Sequence, residues 1–177
     1  LLGLNLVFAT LVALVIAAWA GRLVLTTYRP GILLLGSGAL IWGMSGCIGV
    51  VAGFWSVRSA PFNANALVTI HNISVWFAAL CHLAGASLSF KPYKEGGRPW
   101  LSLMTAYSSA LGLIGFITHA AVQGWLPPFF QPGEGGTDIR QLVLGSAMVM
   151  FVLTAMLLQV MHRDAFMGEE KKKAKRG

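Results

Sequence analysis

Asn65–Phe90 reads NALVTIHNISVWFAALCHLAGASLSF, and the fold class follows from it. The stretch matches the roughly 20 apolar residues that a helix needs to cross a bilayer. Yet it holds two histidines, His71 and His82. They are eleven positions apart, which at about 100° per residue returns to nearly one helix face. Ionisable groups inside a lipid-spanning helix are rare and mark a buried or functional position.

Working outward, four more stretches have the same length and character: Leu2–Thr26, Ile32–Val57, Trp100–Gly124 and Ile139–His162. The breaks between them carry loop chemistry, as in Tyr28-Arg29-Pro30-Gly31, Ser59-Ala60-Pro61-Phe62-Asn63, Lys91-Pro92 to Pro99, and Leu126-Pro127-Pro128 to Asp138. Of the 177 residues, 56% are hydrophobic and 11% charged, with a mean hydropathy of +0.70. A soluble domain carries about 25% charged residues. The expectation is an all-α integral membrane protein: a five-transmembrane-helix bundle over residues 1–162, then a basic tail, 163–177, expected to be disordered.

Charge orients the bundle. With five spans, the first loop, the third loop and the C-terminus share a side. That side holds Arg22, Arg29, Lys91, Lys94, Arg98, Arg163, Lys171, Lys172, Lys173, Lys175 and Arg176, and the other only Arg58 and Arg140. The positive-inside rule then places the N-terminus outside and the C-terminus in the cytoplasm, in a bacterial cytoplasmic (inner) membrane. The net charge of +7 therefore reads as topology, and nucleic acid is not an expected partner. Lys171, Lys172, Lys173, Lys175 and Arg176 are placed to meet acidic lipid headgroups, so membrane lipids are expected partners.

Several chemistries are excluded or unsupported. Cys47 and Cys81 fall inside apolar runs and form no CxxC or CxxCH, so they read as small buried hydrophobes. All six carboxylates (Glu95, Glu134, Asp138, Asp164, Glu169, Glu170) lie in loops or at helix ends, whereas ion carriers place carboxylates within the membrane. There is no nucleophile–base pair, phosphate-cradling glycine loop or HExxH, and no enzymatic activity is expected.

Small residues mark faces for close packing. The second span carries Gly43, Gly46, Gly49 and Gly53, the last two as a GxxxG. The fourth repeats Thr105, Ser108, Gly112, Gly115, His119 and Gln123 at intervals of three or four, and the third aligns His71, Val75, Ala78, His82, Gly85 and Ser89. Both stripes are expected to face the bundle interior. His71 is about six residues inward from the start of its span and His119 five from the end of its own, or roughly 9 and 7.5 Å. That puts the two at one depth on facing helices. Three readings stay open: each imidazole bonds a neighbouring helix or water; the pair, with Asn72, binds a small molecule, a quinone carbonyl or a metal ion; or it ligates a b-type haem. His82 has no matching partner and reads as structural. The loop WLPPFFQPGEGGTD, Trp125–Asp138, has the aromatic residues of an interfacial anchor and is placed to lid a pocket near His71 and His119.

Two stretches, LVTIHNISVWFAALCHLAGASLS (Leu67–Ser89) and WLPPFFQPGEGGTDIRQLVLGSAMVMF (Trp125–Phe151), resemble the N-terminal multi-helix input regions of bacterial PAS-containing sensor histidine kinases. The resemblance covers roughly the last three helices. It implies a sensory role in which His71, Asn72 and His82, with Gly135-Gly136-Thr137 and Arg140-Gln141, are the positions to test. The favoured reading is a sensor-like bundle serving as a binding or accessory subunit of a larger membrane assembly of photosynthetic or respiratory type, with other membrane subunits as partners. The alternative is a b-haem or quinone-binding electron-transfer subunit using His71 and His119.

Overall fold

The computed structural model describes the backbone of residues 2–27, 29–55, 64–90 and 98–174, with side chains in 7–27, 29–52, 64–90 and 98–163. Among the described residues there are five helices: α1 (Leu2–Thr27), α2 (Pro30–Trp55), α3 (Ala64–Ser89), α4 (Pro99–Val122) and α5 (Asp138–Ala174). A short antiparallel hairpin, β1 (Phe130–Gln131) and β2 (Gly135–Gly136), joins the last two. All five helices are long and apolar enough to cross a membrane, and together they form an all-α bundle of the kind expected of a multi-pass membrane protein.

The helix starts follow from local chemistry. Pro30 and Pro99 open α2 and α4, where the missing N–H removes no intrahelical bond. Several hydroxyls within the spans bond back to their own helix, as Ser37 to the Leu33 carbonyl at 2.9 Å and Thr154 to Met150 at 2.8 Å, so these expose no free donor to an apolar setting. The tail departs from expectation. Residues 163–174 continue α5 as helix, where disorder from 163 was expected. That segment carries two Ala, two Glu and three Lys, lacks proline, and spaces Glu169 and Lys173 at i, i+4, a combination that favours helix without any packing despite Gly168.

α3 is the hub, packing against α2, α4, α5 and β1. Toward α4 it presents Ala66 and Ile70, which meet Ile117 and Ala121. Toward α2 it presents Ala78, His82, Gly85 and Ser89, which approach Gly38, Gly31 and Leu35. Toward α5, the Trp76 indole N–H donates to the Ser146 hydroxyl at 3.0 Å, and the His82 ring lies 5.6 Å from that of Phe151. These two contacts pair α3 with α5 at offsets of 70 and 69, since 146 − 76 = 70 and 151 − 82 = 69. The two helices therefore run parallel and in register.

Glycines close the α1–α2 seam. A Cβ on Gly43 would sit 3.0 Å from Leu14, and one on Gly46 would collide with the Thr10 hydroxyl. α4 lies across this pair, its Tyr107 hydroxyl donating to the Ala17 carbonyl of α1 at 2.5 Å. Of the other expected packing positions, Gly49 is half-buried, and Gly53 falls outside the residues whose side-chain surroundings are described. Lys171, Lys172 and Lys173 ride on the last turns of α5, while Arg58, Lys175 and Arg176 lie outside the described residues.

Candidate functional site

The site grows from the start of α3. The Asn65 carboxamide oxygen accepts from the backbone N–H groups of both Phe129 and Phe130, at 2.8 and 2.9 Å, and faces the Thr69 hydroxyl at 3.5 Å. One side chain thus satisfies two loop donors that would otherwise be orphaned. Beside it, Phe129 is 2% exposed, its ring plugged into the bundle. The loop ahead of it leaves α4 through a Schellman cap: the Trp125 N–H donates to the Ala120 carbonyl and the Gly124 N–H to Ala121, at 2.9 and 3.2 Å. Gly124 takes the φ of +70° that this cap demands. Gly133, at φ +90°, does the same for the hairpin turn, which the Glu134 N–H closes by donating to the Gln131 carbonyl at 3.2 Å. Behind the hairpin, the Thr137 hydroxyl donates to the Pro128 carbonyl at 2.9 Å. The Arg140 side chain lies flat on Gly136, where a Cβ would sit 2.9 Å from Nη1 and 3.2 Å from Cδ.

The loop is therefore a folded plug and clamp. Only Trp125, 65% exposed, keeps the character of an interfacial anchor.

Two side chains in this corner lack partners. Asn72 is 4% exposed, and its Nδ2 has no hydrogen-bond acceptor. The Nε of Arg140 is buried and also has none. A buried donor left without an acceptor costs about 1–3 kcal/mol, so both positions call for a reason. A third buried atom of this kind, the Ser74 hydroxyl, faces the opposite side of α3.

The expected pairing of His71 with His119 does not form. His119 is exposed and stands edge-on against Trp125, ring centroids 5.2 Å apart. It lies two positions from both Ile117 and Ala121, which face α3, and so points roughly 160–200° away from that contact. His71 is half-buried on the far side of Ile70. The α4 stripe as a whole turns outward: Thr105, Ser108, Gly112, Gly115, His119 and Gln123 are exposed, and nothing lies within 4 Å of a Cβ built on Gly112 or Gly115. The reason is that α2 and α3 offer Ile41, Ile48 and Phe77, which pack against the bulkier face of Ala110, Ile114 and Ile117. Gly112 and Gly115 are thus not packing positions within this chain.

The α3 stripe does face inward, as expected. His82 Nδ1 is 2.6 Å from the Ala78 carbonyl, a contact that requires the proton on Nδ1. Its ring fills the space that Gly38 leaves open, so the role visible for His82 is structural. Cys47 and Cys81 are free and half-buried, and among the described residues no three His, Cys, Asp or Glu side chains could share a metal ion.

Reasoning from sequence missed Asn65, Phe129 and the Trp76–Ser146 bond. The last left a signal: an indole N–H within a span needs an acceptor on a neighbour. No family model, curated protein or solved structure matches this chain.

Proposed function

We propose that the chain is a sensor-like, non-enzymatic subunit of a bacterial inner-membrane assembly, N-terminus out and C-terminus in, which holds a transmembrane helix of another subunit against α4. The outward stripe of α4 carries this reading. Lipid tails give a helix no reason to display glycine, serine and threonine in a line, whereas a close-packed partner helix does. An imidazole on that line, His119, also gains from a polar partner more than from lipid. The excess of Lys and Arg at one end supports the orientation.

The test is purification in mild detergent, followed by native gel and identification of co-migrating chains. A stable complex is expected, and Gly112→Leu with Gly115→Leu should release the partner while leaving the bundle folded. A lone monomer, or a complex indifferent to both substitutions, would sink the proposal. The electron-transfer alternative loses its ligand pair, because His119 points away from α3.

A further inference from the structure

We infer that the hairpin end of the α3–α5 seam is a phosphate site, with Arg140 and Asn72 donating to one phosphate group. The parallel register sets Arg140 level with Ile70 and Asn72 level with Leu142, two residues or roughly 3 Å apart along the axes. Both belong to the seam. Asn72 precedes Trp76 and Ala79 at i+4 and i+7, and Arg140 precedes Val143 and Ala147 at i+3 and i+7. Trp76 is bonded to α5, Ala79 is 0% exposed and Ala147 1% exposed. Facing sides of one contact thus present two buried N–H groups, Asn72 Nδ2 and Arg140 Nε, neither with an acceptor.

Two donors, one of them on a permanent cation, call for an anion with several oxygens, and the planar guanidinium fork suits phosphate. The carboxylates of the same loop, Glu134 and Asp138, are exposed and leave Arg140 Nε unpartnered. Gly136 holds the guanidinium in place by leaving its own side empty.

Depth agrees, on the reading that the bundle spans a membrane. The span Asp138–Arg163 has 26 residues, roughly 39 Å against a hydrocarbon core of about 30 Å. About three residues therefore project at each end, and Arg140 is the third. That is the level of headgroup phosphates. The phosphate comes either from a phospholipid or from a soluble phosphate, and the occupant of the α4 face has no bearing on it.

The full chain would be stripped of lipid in detergent, then given phosphatidylglycerol micelles or inorganic phosphate, with bound phosphorus counted per chain and intact complexes weighed by native mass spectrometry. About one phospholipid per chain is expected, with affinity falling at least tenfold in Arg140→Gln and in Asn72→Leu and unchanged in Arg22→Gln. Uptake of inorganic phosphate without lipid supports the same site with a soluble source. Should R140Q fail to fold, Arg140→Lys keeps the charge and loses the fork, and is expected to bind more weakly than wild type. No uptake of either probe, or equal uptake by wild type and the Asn72 and Arg140 variants, overturns the inference.

Discussion

α2 and α4 carry the same kind of small-residue stripe and use it in opposite ways. On α2, Gly43 and Gly46 are filled by Leu14 and Thr10 of α1, and Gly38 by His82 of α3. On α4, Gly112 and Gly115 face open space. The accompanying burial differs too: 44% of the apolar window of α2 is buried inside the chain, against 22% for α4 and 11% for α5. A stripe of small residues says that a backbone comes close, but not whose. The first three helices find that neighbour within the chain, and the α4 glycines do not.

The contrast can be broken by substitution. The largest effect is expected from Phe129→Ala, which empties a plug that is 2% exposed and should cost about 3–5 kcal/mol, read as a lowered midpoint of thermal unfolding in detergent. Gly46→Leu comes next, driving a side chain into Thr10 at about 1–3 kcal/mol of overpacking; an unchanged midpoint would mean that the α1–α2 seam is looser than it stands. Asn65→Ala leaves the Phe129 and Phe130 amides without their acceptor, about 1–3 kcal/mol. Faster hydrogen exchange across the hairpin, with α1 and α2 unchanged, checks it. Trp76→Phe removes one hydrogen bond to Ser146 for about 0.5–1.5 kcal/mol and should loosen α5 before any other helix. Smallest for the isolated chain is Gly112→Leu, expected within about 0.5 kcal/mol, because nothing is there to collide with. A large loss of monomer stability at Gly112 would erase the distinction between α2 and α4.

Where the helices lie was legible in the sequence, because in a bilayer the backbone must satisfy itself and apolar length decides the spans. Ala64–Ser89 and Pro99–Val122 differ from the windows read in the sequence by no more than two residues. The α3 stripe was legible too, since a helix surrounded by three others buries almost any face. The direction of the α4 stripe was not. Periodicity marks a face, while the choice between two faces is made by the neighbours, here Ile41, Ile48 and Phe77. The matching of His71 and His119 by depth failed for the same reason: depth is one coordinate and rotation about the axis another. Asn65 was illegible because its partners are backbone amides 64 and 65 positions away, which no local pattern announces.

The register of α3 with α5 has an electrostatic consequence. Three of the five helices, α1, α3 and α5, start at the hairpin end, and α2 and α4 finish there. Four of the helix dipoles cancel in antiparallel pairs, and one remains, equivalent to roughly half an elementary charge, positive at the hairpin end and negative at the other. An odd number of spans thus polarises the whole bundle. Arg22, Arg29 and Arg98 belong to the negative pole, so these side chains counter the field that the backbone generates.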